Sequence, residues 1–317
     1  MIITAKYGLP YQGSKSAIAE KIINFLPAGK RFVDLFGGGA AMSDCAAKSG
    51  KYETVFYNEI NPLLCDLVKK AIAGFYNYSV FKPEFISREQ FHLIKSIDGY
   101  VKYIWSFGNN GKDYLFSQEL EPQKCSLHNF VVFGVKDDFI KSNFDDIEKF
   151  VAATDTHTRQ RQLRRYMRIK MAVRPHQQLE QLERLQQLER LQQLEQLERL
   201  EQLERLEINN GSYLDYQYQD GDVVYCDPPY EGTYKSYGIV FDHKQFYEWA
   251  ASRPYQVFFS SYQITDNRFK IIWQTPKQNL FNSGSGQFTV TEFLYTNKTI
   301  KPNCNDPLSL FQSVLYG

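Results

Sequence analysis

No apolar run among the 317 residues approaches the roughly 20 needed to span a bilayer, and the opening MIITAKYGLPYQGSK has no signal-peptide apolar core. Neither membrane insertion nor export is expected. An excess of one charge is also missing: 37 Lys and Arg against 36 Asp and Glu leave a formal net charge of +1, so a nucleic-acid partner would have to be met by a local patch. The five cysteines, Cys45, Cys65, Cys125, Cys226 and Cys304, are scattered and lack metal-ligand spacing. A reducing cytoplasm is the simplest compartment, and no metal site is expected. What is present is core-forming material: with 43% hydrophobic and 15% aromatic residues, the chain can build one large domain or two smaller ones.

The segment KRFVDLFGGGAAMSDCAAKSG reads as a strand over Phe32 to Phe36, a turn at Gly37-Gly38-Gly39 and a helix from about Ala40. KYETVFYNEINPLLCDLVKKAIAGFY repeats the pattern, with a strand through Tyr57, an acid at Glu59 and a helix to about Ile72. Two strand-turn-helix units with an acid closing the second strand describe half of a doubly wound nucleotide-binding sheet. Glycines let the backbone approach a ligand, and a carboxylate one strand over accepts the hydroxyl protons of a ribose. A glycine run alone is also what any tight turn uses; Glu59 favours the ligand reading. The dinucleotide pattern GxGxxG is absent, so a nucleoside without a pyrophosphate fits better.

Farther along, DVVYCDPPYEGTY ends an apolar strand on an acid, two prolines and an aromatic. The carboxyl end of a buried strand in an open α/β sheet faces the ligand crevice. Proline has no N–H and a fixed φ, so the turn stands outside any sheet ladder. Asp227 and the Pro228 carbonyl then form two rigid acceptors for the two hydrogens of an amine, with Tyr230 able to stack on the ring that carries it. The plainer alternative is a proline-terminated strand with a surface aspartate.

Taken with these motifs, the chain resembles the Dam-like class of DNA adenine-N6 methyltransferases. YQGSK (Tyr11 to Lys15) is similar to that family's N-terminal cofactor motif, SYLDY (Ser212 to Tyr216) to the segment that meets the cofactor adenine through Asp215, FFSSYQ (Phe258 to Gln263) to the strand after the catalytic one, and TVTEFLYTN (Thr289 to Asn297) to its C-terminal E-x-L-x-x-N strand. The resemblance implies an α/β fold, a seven-stranded Rossmann-like methyltransferase sheet with helices on both faces, and S-adenosylmethionine as methyl donor. It implies catalytic roles for Asp227, Pro228, Pro229 and Tyr230. Cofactor contacts are implied for Tyr11, Gly13, Lys15, Asp34, Phe36, Gly37, Gly38, Gly39, Glu59, Asp215 and Tyr216. The substrate it implies is an adenine flipped out of double-stranded DNA. Cytosine-N4 methylation is the alternative within enzymes, opposed by DPPY in place of SPPY; glutamine-modifying relatives use NPPY. A scaffold protein built around its repeat, with a vestigial catalytic fold, is the alternative from another class.

The family places its DNA-reading region between the two halves of the catalytic domain. IWSFGNNGKDYLFS offers Asn109, Asn110 and Lys112 in a glycine-containing turn, and RQRQLRRYMRIKMAVRP offers Arg159, Arg161, Arg164, Arg165 and Arg168 with no acid among them. Uncompensated arginines suit phosphates, although a solvated charged helix is the common reading of such runs. From Leu179 to Leu206 leucine then recurs at every third position. On an α-helix a three-residue step winds leucines around the whole surface and leaves no polar face. A small triangular solenoid satisfies the period, a buried α-helix is the alternative, and self-association through the repeat stays open. The expected organisation is a catalytic domain of residues 1–75 and 208–317, a target-recognition region at 76–176 and a leucine-triplet insert at 177–207.

Overall fold

The computed structural model describes residues 6–77, 81–144, 156–173, 197, 198, 200–203, 206–231, 241–278 and 289–298, and the side chains of Arg164 and Arg168 lie outside the described set. The chain divides into two compact units, Met1–Asp222 and Val223–Gly317. It is a mixed α/β protein with a Rossmann-like sheet of seven strands, in the order β3-β2-β1 within the first unit and β4-β5-β7-β6 within the second.

In the first unit, helix α1 (Ala19–Phe25) precedes strand β1 (Gly29–Asp34), helix α2 (Ala41–Lys48), strand β2 (Tyr52–Asn58) and helix α3 (Pro62–Ile72). These are the two strand-turn-helix units expected from the sequence. Strands β1 and β2 pair in parallel, with Asp34 beside Tyr57, and β2 pairs in parallel with β3 (Leu206–Asn209). Helix α3 starts where it does because Asn61 accepts from the Leu63 and Leu64 N–H groups at 3.1 and 3.4 Å, just ahead of Pro62 at the first helical position. Short helices α4 (Arg88–Ile94) and α5 (Gly99–Ile104), then α6 (Glu121–Phe133), α7 (Asp138–Asn143) and α8 (Thr156–Val173), fill the region between β2 and β3. One core runs beneath them, from Leu64 and Val68 of α3 through Trp105 to Phe130 of α6 and Leu163 and Tyr166 of α8.

Residues 179–196, on which the solenoid and long-helix readings rest, lie outside the described residues. The end of the tract is described, and it is not free-standing. Leu200–Gln202 forms a 3₁₀ turn, a geometry with three residues per turn that sets leucines spaced by three on one face. Leu197, Leu200 and Leu203 are all buried in the core of the first unit, and the 3₁₀ turn packs on α3. The Glu201 carboxylate accepts from Asn77 Nδ2 at 2.9 Å, and the last leucine of the tract, Leu206, opens β3.

The second unit begins within β4 (Asp222–Cys226) and continues with helix α9 (His243–Ser252), parallel strand β5 (Val257–Ser261), then β6 (Lys270–Gln278) and β7 (Thr289–Thr296). Strand β7 runs antiparallel to both β5 and β6. Its core is aromatic: Phe259 stacks on Tyr295 at 5.2 Å and meets Phe246 and Phe269 edge-on.

Candidate active site

The glycine loop is shaped from both ends by β2. Gly37 N–H donates to the Asn58 carbonyl at 2.8 Å, Gly38 N–H donates to Glu59 Oε2 at 2.9 Å, and the Tyr57 hydroxyl donates to the Gly38 carbonyl at 2.8 Å. A side chain at Gly37 would force the loop or the Tyr57 ring to move, because a Cβ there would lie 2.1 Å from that ring. Gly38 has φ +50° and Ala40, which caps α2, has φ +62°; the Ala40 N–H closes the turn on the Gly37 carbonyl at 2.7 Å. Asp34, buried at the end of β1, accepts from Ser43 Oγ of α2 at 2.7 Å and so ties strand to helix across the loop.

Glu59 stands half-buried at the end of β2. Its second oxygen accepts from the Asn61 N–H at 2.8 Å. Burial raises its pKa, against backbone N–H groups of Asn61, Gly38 and Ile60 that hold it down. Beside it Ile60 is 58% exposed, and Leu214 is 43% exposed on the one-turn 3₁₀ helix Tyr213–Asp215. The Phe36 ring stacks on Tyr213 at 5.1 Å, and Asp215 is exposed. Tyr11 sets its ring edge-on to Tyr103 at 5.5 Å, Gly13 takes φ +84°, and Lys15 is buried. The Tyr216 hydroxyl is committed elsewhere: it donates to Asp222, which also receives Arg31 at 2.9 and 3.0 Å.

Several residues that build this cradle carry no functional signal in the sequence. Asn58 donates to the Leu35 and Gly211 carbonyls, each at 3.0 Å, and accepts from Asn209 Nδ2 at 2.6 Å. Asn210 Nδ2 donates to the Glu59 carbonyl at 2.6 Å, and Asn61 Nδ2 donates to the Tyr103 hydroxyl at 2.6 Å. An Asn-Asn-Gly run is an ordinary turn signal, so only the fold reveals that it braces the acid-bearing end of β2.

In the second unit, β4 is buried and delivers the Asp227-Pro228-Pro229-Tyr230 turn at its carboxyl end. Asp227 is half-buried and Tyr230 is buried. Three side chains brace the strand and turn. His243 Nε2, at the start of α9, donates to the Pro229 carbonyl at 2.7 Å; the Tyr230 hydroxyl donates to Glu292 Oε1 of β7 at 2.9 Å; and Tyr225 and Ser260 share a hydrogen bond of 2.5 Å. The Tyr230 ring meets Tyr262 edge-on at 4.7 Å. Burial, reinforced by the nearby Asp227 and Glu292 carboxylates, pushes the Tyr230 phenol well above its usual range, so it stays a donor. A polar cleft of about 350 Å³ opens next to Glu231, where Arg268 is already paired with Asp266 and Glu248.

The DNA-reading candidates separate in the structure. Residues 106–114 form a tight turn closed by Phe107 N–H to the Asp113 carbonyl at 2.8 Å, with Asn109 in the left-handed region at φ +55°. Asn109 Nδ2 donates to the Tyr103 carbonyl and Asn110 Oδ1 accepts from the Lys112 and Asp113 N–H groups, so both asparagines hold the turn's shape. Lys112 and Phe107 are exposed at its tip. On α8, Arg161 and Arg165 are exposed, whereas Arg159 donates to the Val131 and Val132 carbonyls at 2.8 Å and caps the end of α6. Among the described residues no group of His, Cys, Asp and Glu could hold a metal ion, and no helix is long and apolar enough to cross a membrane.

A glycine loop closed by an acid at the end of the next parallel strand, and a proline-rigid acidic turn ending a later strand, are arrangements able to take a nucleoside and an amine, respectively. The chain belongs to the D12 class N6 adenine-specific DNA methyltransferase family, whose model matches residues 11–283. Both the cradle and the Asp227–Tyr230 turn lie inside that match. Membership of this family supports adenine-N6 DNA methyltransferase activity, and cytosine-N4 methylation is not favoured. No curated protein matches the chain.

Proposed function

We propose that the protein transfers a methyl group from S-adenosylmethionine to N6 of an adenine flipped out of duplex DNA. The observation that carries this reading is the Gly38–Glu59 hydrogen bond of 2.9 Å, which sets a half-buried carboxylate at the lip of a loop whose Gly37 has no room for a side chain unless the loop or the Tyr57 ring moves. The residues present fit the cofactor's chemistry. Glu59 would accept the ribose hydroxyls, Ile60 and Leu214 would cover the faces of the adenine ring, and Asp215 would accept from its amine. Tyr11, Gly13, Lys15, Asp34 and the Phe36–Gly39 loop would complete the pocket, with Tyr216 acting as an anchor for the Asp215 turn. When bound, S-adenosylmethionine supplies a methyl group activated by a positively charged sulfur.

The exocyclic amine of adenine is a poor nucleophile because its lone pair is delocalised into the ring. Asp227 and the Pro228 carbonyl, both acceptors, would favour the pyramidal form in which that lone pair is free; as the N–CH3 bond forms the S–CH3 bond breaks to leave a neutral thioether, and the amine's surplus proton would pass by way of the Asp227 carboxylate to solvent. Positioning and electrostatics then supply most of the acceleration, with no covalent enzyme intermediate. Extruding the base costs a few kcal/mol, and stacking on Tyr230 offsets about 1–3 kcal/mol of it. Arg161, Arg165 and Lys112 serve as phosphate contacts and the 106–114 turn meets the duplex. The bacterial or host cytoplasm is where such an enzyme would meet its DNA. Long-read sequencing of DNA from cells expressing the protein tests the reading: N6-methyladenine in a fixed context supports it, and unmodified DNA or modified cytosine overturns it.

A further inference from the structure

We infer that Glu292 is a positioning residue that sets the plane of Tyr230 for the extruded base. The inference rests on the function proposed above and adds a residue that this reading does not otherwise use. Glu292 is 1% exposed on β7, and a carboxylate withdrawn from water to that degree is costly unless its oxygens are hydrogen-bonded. One of them, Oε1, accepts from the Tyr230 hydroxyl at 2.9 Å, from a residue 62 positions away in the chain. Tyr230 is itself only 8% exposed and meets Tyr262 edge-on at 4.7 Å. A phenol held at its hydroxyl by Glu292 and along its ring by Tyr262 has neither torsional freedom nor room to slide.

That constraint acts where the reaction is most sensitive. The two prolines fix the backbone of the turn but leave the Tyr230 ring free to rotate about its side-chain bonds. The Tyr230–Glu292 hydrogen bond removes that freedom, so the stacking surface is set before the base arrives and ordering it costs nothing during binding. Misplacing the ring would mis-aim the amine held by Asp227 and the Pro228 carbonyl without touching the cofactor cradle.

The test is a cycle of Tyr230→Phe, Glu292→Leu and the double variant, with Glu292→Gln as the conservative replacement. Initial rates are read with labelled S-adenosylmethionine and unmethylated duplex DNA, both saturating, and cofactor affinity is read separately by calorimetry. Each single variant is expected to lose about 10-fold to 100-fold in rate with cofactor Kd unchanged, and the double variant to be no slower than the slower single. Glu292→Gln, whose amide oxygen still accepts, is expected to stay closer to wild type than Glu292→Leu. A Glu292 that served only the fold would instead multiply its loss with that of Tyr230→Phe. Wild-type protein that methylates DNA while Tyr230→Phe matches its rate, or losses that multiply in the double variant, would overturn the positioning role alone. Wild-type protein that transfers no methyl group to DNA would overturn the function and this role together. Should Glu292→Leu not fold, Tyr230→Phe, which removes one hydroxyl, still decides the question.

Discussion

The glycine loop of the first unit is held through its own main-chain groups by one short neighbouring stretch, residues 57–59, whereas the Asp227–Tyr230 turn of the second is braced by side chains from two separate elements. In the loop, the Gly37 and Gly38 N–H groups and the Gly38 carbonyl are all tied to residues 57–59, so its form follows from glycine and a parallel neighbour. In the turn, prolines set the backbone, and His243 and Glu292 brace it from 14 and 62 positions away. Under the proposed function, the difference follows from what each ligand would ask for. A nucleoside cofactor needs close approach of the main chain, which only glycine permits, while an extruded base needs acceptors and an aromatic face aimed in advance.

The largest expected effect breaks the comparison on the side of the turn. Asp227→Ala is expected to lower the methyl-transfer rate by about 10³-fold or more, since it removes one of two acceptors on the reacting amine, while leaving cofactor Kd unchanged. Single-turnover rates with calorimetry in parallel check both halves. Equal damage to cofactor binding would erase the division of labour between loop and turn.

Next in size is Glu59→Ala, which is expected to weaken cofactor binding by about 1.5–3 kcal/mol with duplex affinity intact, because the ribose hydroxyls no longer have a charged acceptor. The same carboxylate gives the pH dependence its sign. Ribose hydroxyls donate to the ionised form, and burial raises the Glu59 pKa, so cofactor affinity is present above that raised value and falls as pH drops through it. Binding near that pH releases a proton, and the calorimetric enthalpy should therefore change with buffer. An affinity that stays flat until the ordinary glutamate range would contradict the burial assigned to this group.

Gly37→Ala probes the backbone side more gently. Its Cβ would lie 2.1 Å from the Tyr57 ring, so the loop or the ring must move, at a cost of about 1–3 kcal/mol in folding stability. Denaturant unfolding measures the cost, and wild-type stability would mean the loop is looser than its hydrogen bonds indicate. Smallest is the charge reversal of Arg161 and Arg165, expected to weaken duplex binding and to flatten the slope of log K against log salt by about 0.9 for each phosphate that the variant no longer neutralises. An unchanged slope would remove the exposed face of α8 from the DNA-binding surface.

The same contrast explains what the sequence makes legible. Phe36-Gly37-Gly38-Gly39, Glu59 and the two flanking strands are local patterns, and the structure places each close to its predicted position, although the first strand runs over Gly29–Asp34, earlier than the expected Phe32 to Phe36, and leaves Phe36 in the turn. Asp227 to Tyr230 is likewise readable, because proline and an acid at the end of an apolar strand mean the same thing in any neighbourhood. Their supports are not readable: nothing in HKQFY identifies His243 as the donor to Pro229, and Glu292 gains its partner only through strand pairing. The arginine run shows a second limit. A helix of uncompensated arginines is visible in the sequence, but only packing reveals that Arg159 is turned inward to cap α6 while Arg161 and Arg165 face out. The leucine triplets show a third: their period excludes an ordinary amphipathic helix, yet the burial of Leu197, Leu200 and Leu203 against α3 is a tertiary fact.

Purified wild-type protein and Asp227→Ala, incubated with labelled S-adenosylmethionine and unmethylated duplex DNA, followed by digestion to nucleosides, test the central claim most directly. Label in N6-methyladenine from wild type, none from Asp227→Ala, and equal cofactor Kd for the two is the predicted result. Label in cytosine, no label from folded wild type, or an Asp227→Ala variant that works at the wild-type rate would contradict it.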